Sequence, residues 1–565
     1  MISMAQHSDT PVSASSGSRC SFLEAIGRVG GAGALYETMV AMGMLQVPAA
    51  WAGPTPLPVG QGAGKTVLIL GAGMAGMASA HELQKAGYRC IILETLDRPG
   101  GRNFTARRGT KVVEDTGPQG RTVQTCAFDD GLYMNLGPAR LPFHHPRTMY
   151  YCRDFEVALE VYVMSTTANL FQTDAAFGGQ AMPRYRLGND ANQHIAELLG
   201  KAINQNALDA DITPQDRQVF MGMLRSFGDL PSAGSATVGS ETPRNHCLTP
   251  MTVQALCAAN PRLPMWELLK SNFWMHRFNQ PVEGEWQPSL FQPVGGMDKM
   301  VEAFVKRVGK SIRFNAEVFE INNLPDGVQV SWRDRRSGRT SQLRADYCLS
   351  NMPLPKLARL KTNLSEDFRQ AIDHARIGAL YKLAWQANRR FWEEAPYNIY
   401  GGISYTDSAI TQMWYPSNDY LSKRGIVAGS YSYLEQAEAY GRMTLAERII
   451  AGRRDAVKLH KEFSSEELVP TGKAVSIAWN QAEGQSGGVA LWDNNAADNK
   501  AYQRLLAPDG RFFVIGDQVS PMPGWQEGAF LSSEHAVLQV TGKRPVLVSE
   551  LERAPDTRRM MNWLA

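Results

Sequence analysis

The stretch VLILGAGMAGMASAHELQKAGYRCIILE, residues 67–94, constrains the fold more than any other part of the chain. A run of branched apolar residues marks a strand buried on both faces. That run breaks into glycine at Gly71, Gly73 and Gly76, the GxGxxG spacing that opens a helix. Gly71 permits the tight turn, Gly73 lets the backbone approach a pyrophosphate, and Gly76 lets helix and strand pack closely. Amide groups at the helix start then meet phosphate charge. Glu94 ends the second apolar run, where a carboxylate reaches ribose hydroxyls. A strand over 67–70, a helix over 75–86 and a strand over 89–93 make one βαβ unit, which predicts a dinucleotide site. A glycine triplet alone also occurs as a plain turn in unrelated α/β proteins; here strand, helix, second strand and acid all fall in place.

The other elements are scattered along the chain. Residues 192–208 and 252–278 are apolar at helical spacing. The segment KSIRFNAEVFEINNLPDGVQVSWRD alternates around Pro325-Asp326-Gly327, a hairpin signal. Strand-like pieces lie at 380–392 and 425–434, and 445–463 reads as a helix. RFFVIGDQV reads as a buried strand ending in an acid, followed by a helix over 527–542. Nucleotide-type elements therefore stand at the start, middle and end, with a helical block and a β-rich block between them. A domain assembled from discontinuous segments follows.

Bulk properties narrow the class. Of 565 residues, 44% are hydrophobic and 20% charged, and the net charge of +3 does not argue for a nucleic-acid partner. The basic run at 333–339 reads as a solvated hairpin turn. Cys20, Cys90, Cys126, Cys152, Cys247, Cys257 and Cys348 form neither a CxxC pair nor a Cys/His cluster, so no metal is expected. No apolar run reaches the ~18 residues of a membrane span. Residues 1–20 are rich in Ser and Thr. Leu23, Ile26, Val29, Leu35 and Met39 suit an amphipathic helix on the body, a reading preferred to a cleaved leader. A cytoplasmic location is expected on that reading, with export left open.

The segment after Glu94, TLDRPGGRNFT, places Gly101 and Arg102 in a second glycine turn with a cation. Together with FFVIGDQVSPMPGWQEGAFLSSEHAV and FQPVGGMDKMVEAF…IRFNAEVFEI it resembles the flavin amine oxidase family, in its L-amino-acid oxidase branch. The likeness runs from Thr66 to about residue 540. It implies FAD as cofactor and an α/β amine oxidase fold: a discontinuous Rossmann-like FAD domain, a mixed-sheet substrate domain and a helical insertion. The expected segments are 1–60 (extension with one helix), 61–145, 286–355 and 471–565 (FAD domain), 146–285 (helical entry block) and 356–470 (substrate domain). Met74, Ala75, Gly137, Pro138, Ala139, Trp479 and Gly516 join the glycine turns as implied cofactor contacts. Val318 would offer its backbone to adenine, Arg102 a charge to phosphate, and Asp517 a carboxylate to the ribitol.

At the reacting end, Arg140 in YMNLGPARLPFHH matches the arginine that anchors the substrate α-carboxylate; a planar guanidinium can grip it through two parallel bonds. A structural ion pair is the plainer alternative. By the same resemblance Tyr431 shares the carboxylate, Lys382 holds a water near flavin N5, the Gly524 carbonyl takes the α-ammonium and the Trp525 ring faces the substrate. Trp414 and Tyr415 either wall the pocket or pack the core. His144 and His145 read as surface residues beside a proline turn. Glu241 and Asp229 are acids of the entry block whose place is open. The implied reaction is oxidative deamination of an L-amino acid by hydride transfer from the α-carbon, by a homodimer. An amino-acid 2-monooxygenase, a monoamine or polyamine oxidase, and a catalytically silent flavoprotein remain as alternatives.

Overall fold

The first apolar strand, Thr66–Leu70, is buried along Val67–Leu70 and lies inside a five-stranded parallel sheet. Its neighbours are Arg89–Leu93 on one side and Tyr347–Ser350 on the other, with Ile312–Arg313 and Phe512–Val514 at the two edges. These strands come from three distant stretches of chain, so the sheet closes only after the intervening domain has formed. Both faces are covered, which is why its strands read as unbroken apolar runs. The helices Met74–Lys85, Asp298–Val308 and Gln526–Val540 contribute Met77, Phe304 and Phe530 to the core on one face. The antiparallel strands Ala316–Leu324, Gly327–Asp334 and Thr340–Ala345 and the helix Glu366–His374 cover the other.

This computed structural model describes residues 51, 53–207, 213–229, 253, 261–276, 284–286, 289–493 and 495–543. The expected N-terminal helix, Cys20, Cys247, Cys257 and Glu241 lie outside the described residues. Cys90, Cys126, Cys152 and Cys348 are free and buried. Among the described residues no helix is long and apolar enough to cross a membrane.

A second sheet has seven strands in the order Met182–Pro183, Leu170–Gln172, Ile403–Thr406, Gln412–Trp414, Gly425–Tyr433, Leu380–Ala387 and Ala474–Ala478. It is mixed: Leu170–Gln172 runs parallel to Ile403–Thr406, and the other pairs are antiparallel. The stretch 146–285, expected as a helical block, thus also supplies two strands to this sheet. Short polar-flanked strands of two or three residues carry too little periodicity to be seen in sequence. The helices Arg184–Asn204 and Pro214–Gly228 pack together beyond them around Ala196, Ile203 and Leu224.

A buried ion pair ties the two-stranded hairpin of Lys111–Gly117 and Gly120–Thr125 to the seven-stranded sheet. Arg448, on the helix Leu445–Leu459, donates to both oxygens of Glu114 at 2.8 and 2.9 Å, and Glu114 also accepts from the Ala478 amide at 2.8 Å. A capping box between Thr444 and Glu447 fixes the start of that helix one turn before Arg448. The pair sets the strand Ala474–Ala478 and hence Trp479, which follows it. Removing one member of a buried pair strands the other charge, at about 3–5 kcal/mol. Glu114→Ala is therefore expected to lower the unfolding free energy from urea titration by an amount of that order, whereas Lys299→Ala, at an exposed helix pair, changes it little.

Candidate active site

The carboxyl edge of the parallel sheet is where an open α/β fold binds its ligand. There the helix Met74–Lys85 begins at Gly73, with no side-chain cap and no acid in its first turn. Its first amides are left for an anion. A Cβ at Gly76 would lie 2.2 Å from the Gly71 carbonyl oxygen, which is backbone and cannot yield. A Cβ at Gly73 would lie 2.5 Å from Asn351 Nδ2. Glu94 is buried, and its two oxygens accept from the Ala72 and Leu96 amides at 2.7 and 2.9 Å. Burial pushes its pKa up, and those amides oppose the rise.

One cavity of about 460 Å³ connects this turn to the second sheet. Gly71, Gly73, Met74, Ala75 and Glu94 line it, as do Gly101 and Arg102 of the second glycine turn. Val318 joins them from the middle segment, and Gly137, Pro138 and Trp479 from the neighbouring walls. Asp517, Gly524, Trp525, Lys382 and Tyr431 complete the expected set. Gly76, Ala139, Gly516 and Arg140 stand outside the lining. Arg102, expected beside a phosphate, ion-pairs with Asp517 and donates to the Gly488 carbonyl. The other oxygen of Asp517 accepts from the Gly524 amide at 2.7 Å. Trp479 is held by a bond from Nε1 to the Leu136 carbonyl at 2.9 Å. The residues present fit FAD: an uncapped helix start, a buried acid at the strand end and two glycine turns that a Cβ would fill. Asn103 Nδ2, buried on the same wall, has no hydrogen-bond partner among the described residues.

At the second sheet the site becomes aromatic and cationic. The Arg140 guanidinium carbon lies 4.1 Å from the Trp286 ring, 4.7 Å from Trp525 and 5.5 Å from Trp414. Such contacts hold a planar cation in a dry setting while leaving its N–H edge to hydrogen-bond. Lys382 is buried on the strand Leu380–Ala387; its Nζ donates to the Asn135 carbonyl at 3.0 Å and to the Gly137 carbonyl. It lies 4.5 Å from the Tyr431 ring. Burial, helped by the charge of Arg140, pushes its pKa down to about 7. Tyr162 is buried and Tyr431 partly buried, both close enough to Arg140 to feel its charge; burial raises both hydroxyls' pKa and the arginine opposes it. Trp414 walls this cage, whereas Tyr415 packs in the core, its hydroxyl bonded to Ser404 at 2.8 Å and His460 at 2.6 Å.

His145 departs from the surface role read from sequence. It is 2% exposed, and its Nε2 meets Glu285 Oε2 at 2.8 Å. His144 Nε2 reaches the same oxygen at 3.3 Å. Burial alone would raise the Glu285 carboxyl, but the two histidines outweigh it and hold it below its usual range. These three side chains bring their ligand atoms within 4.8 Å of one another, a set that could hold a metal ion.

Sequence reasoning missed Asn351, Tyr162, Trp286 and Glu285. Asn351 had a signal: it follows the third parallel strand, at the same edge as the glycine turn. Trp286, Glu285 and Tyr162 had none, because only folding brings their segments beside Arg140. Asp229, the other acid of the entry block, terminates the helix Pro214–Gly228 in a left-handed conformation.

Comparison with known proteins agrees with this geometry. The family model for flavin containing amine oxidoreductase matches residues 74–541. The chain is 28% identical over 495 residues to the flavin-dependent L-tryptophan oxidase RebO of Lentzea aerocolonigenes, covering 84% of this chain and 97% of that protein. It is 22% identical to the putative L-amino-acid oxidase YobN of Bacillus subtilis (strain 168), covering 84% and 94% of the two chains. Among solved structures, wild-type putrescine oxidase bound to putrescine shares the fold with a TM-score of 0.54 at 16% identity, covering 85% of this chain and 99% of that one.

The lysine generates a pH signature. Between about pH 7 and its ordinary value of 10.5, the unfolded chain keeps the Lys382 proton and the folded one does not. Stability therefore rises with pH across that window and is lost as pH falls through about 7. Lys382→Met lacks this dependence, so thermal unfolding from pH 6 to 10 should show its stability relative to the parent declining as pH rises. Gly76→Ala should purify with less bound flavin per chain, read from the visible absorption band.

Proposed function

The chain belongs to the flavin-containing amine oxidoreductases, and from that premise we propose that it is an L-amino-acid oxidase that takes aromatic L-amino acids. Its cofactor is FAD, which when bound accepts two electrons from the substrate C–H bond and passes them to O₂. The proposed overall reaction is L-amino acid, water and O₂ to 2-oxo acid, ammonia and hydrogen peroxide.

The observation that carries the reading is Arg140, buried among Trp286, Trp414 and Trp525 beside Lys382. A buried guanidinium, close enough to Lys382 to lower its pKa, favours an anion beside it. A simple amine brings no anion, whereas an amino acid brings its carboxylate. Arg140 grips that carboxylate through its fork, and the Tyr431 hydroxyl shares it. Gly524, at φ +82° and tied to Asp517 through its amide, turns its carbonyl to the α-ammonium. Trp525 faces the substrate and keeps water from the reacting carbon. Lys382, with a pKa near 7, holds a water and moves a proton at Nζ. The amine loses its own proton to solvent, so orientation carries most of the acceleration. Glu94, Val318, Arg102 and Asp517 hold the nucleotide and ribityl parts of the cofactor, with the backbone of 71–76 on the pyrophosphate. The ring-rich cage, with Tyr162 added to the tryptophans, supports an aromatic side chain, as does the likeness to a protein named as an L-tryptophan oxidase.

A peroxide-release screen over the twenty amino acids and their decarboxylated amines tests the reading, with product analysis for 2-oxo acid against carboxamide. L-tryptophan and L-phenylalanine should lead. Arg140→Ala removes charge-assisted bonds worth about 3 kcal/mol, so kcat/KM for amino acids should fall ~10²-fold, mostly through KM. Preferential turnover of the amines, or an unchanged KM in Arg140→Ala, would overturn the assignment.

A further inference from the structure

Arg140 does not choose its own orientation. Its guanidinium rests on Trp286 and Trp525, at 4.1 and 4.7 Å. The two rings come from distant parts of the sequence, one from the short helical turn Gly284–Trp286, the other from the N-cap of the helix Gln526–Val540. One residue reaches both supports, one directly and the other through its neighbour: His145 packs on Trp525 and bonds the residue next to Trp286. His145 meets the Trp525 ring edge-on, with centroids 5.0 Å apart and planes at 85°. Its Nε2 bonds Glu285, the residue next to Trp286, at 2.8 Å. His145 is five residues after Arg140 and is the N-cap of the helix Pro146–Asp154, whose start is fixed from the far side by Glu527. Glu527 accepts from the Thr148 amide and hydroxyl, both at 2.9 Å.

We propose that His145 and Glu285 form a clasp that positions Trp286 and Trp525 around Arg140, and so sets the direction in which the guanidinium presents its fork to an anionic ligand. His145 and Glu285 are positioning residues; they act through the two tryptophans. The physical case rests on connectivity and burial. The turn Gly284–Trp286 pairs its acid with a 2%-exposed histidine, which leaves the turn little freedom to shift along the guanidinium. A bidentate grip loses strength steeply when its hydrogen bonds tilt below ~120°, so a small displacement of either ring weakens carboxylate binding more than anything else. His144, one-third exposed, adds a weaker contact to the same carboxylate oxygen.

The inference rests on the carboxylate grip proposed above, and the experiment separates the two. The flavin-loaded enzyme is titrated with benzoate, a carboxylate that cannot be oxidised, and binding is read from the perturbed flavin spectrum. KM and kcat for L-phenylalanine are measured alongside. His145→Asn and Glu285→Gln should each raise the benzoate Kd and the KM about tenfold, with kcat at saturation changed less than KM. The double variant should be no worse than either single one, because both changes break the same clasp. Glu285→Asp should recover part of the loss. If Arg140→Ala leaves benzoate binding unchanged, the grip itself is wrong. If Arg140→Ala loosens benzoate while Glu285→Gln does not, the grip stands and the clasp is overturned. Should His145→Asn fail to fold, Glu285→Gln decides alone. Additive effects of the two substitutions would also sink the proposal.

Discussion

The backbone closure between Gly71 and Gly76 is the constraint on which everything else depends. With 2.2 Å between a Cβ at Gly76 and the Gly71 carbonyl, only glycine lets the helix Met74–Lys85 start flush against its strand. That closeness leaves the first helical amides uncovered and pointed at the sheet edge. Asn351 arrives at the same edge from the middle stretch of chain. Its side chain would lie 2.5 Å from a Cβ at Gly73 and 2.8 Å from one at Gly516, so it locks the two glycine turns to each other. The nucleotide end of the cavity is thus a backbone surface, made of turns that have no side chains to spare.

The reacting end is built on the opposite principle. Here the side chains are large and the cations are dry. Lys382 is buried with its ammonium on two carbonyl oxygens, and burial, helped by the charge of Arg140, lowers its pKa to about 7. Arg140 keeps its charge at any ordinary pH and is supported by ring faces. On the proposed reading, a lysine lowered to about 7 beside an arginine gives the site one charge for binding and one adjustable proton. Asp517 joins the two ends, with one oxygen on Arg102 and the other on the Gly524 amide. The second glycine turn at Arg102 and the Gly524–Trp525 corner of the cavity therefore share a carboxylate.

Much of this was legible in the chain. The βαβ unit at 67–94, the hairpin around Asp326 and the closing strand and helix at 512–540 were readable because each carries a long period or a turn residue whose conformation is restricted. Gly71, Gly73, Gly101, Gly137, Gly524, Glu94, Asp517, Lys382, Tyr431 and Trp525 line the cavity, while Gly76, Gly516 and Arg140 lie outside it. Arg102 was read as a phosphate partner and is found on Asp517, since an arginine's reach covers several acceptors and sequence does not rank them. His145 was read as exposed and is buried. A histidine before a proline says nothing about whether another segment will cover it, and Glu285, 140 residues away, supplies that cover.

By itself the sequence determined the local chemistry: where the backbone turns, which strands are buried on both faces, and which residue types are available to hold a nucleotide and an acid. Those are properties of neighbours along the chain, set by sterics and by hydrophobic period. Only the tertiary structure decided the surroundings of each charge. It put Trp286 and Trp525, 239 residues apart in a chain of 565, on Arg140, an arginine's field on a buried lysine, and a histidine against Trp525 and Glu285. Burial and electrostatic coupling depend on distance in space, and for segments this far apart in sequence that distance exists only once the core has packed.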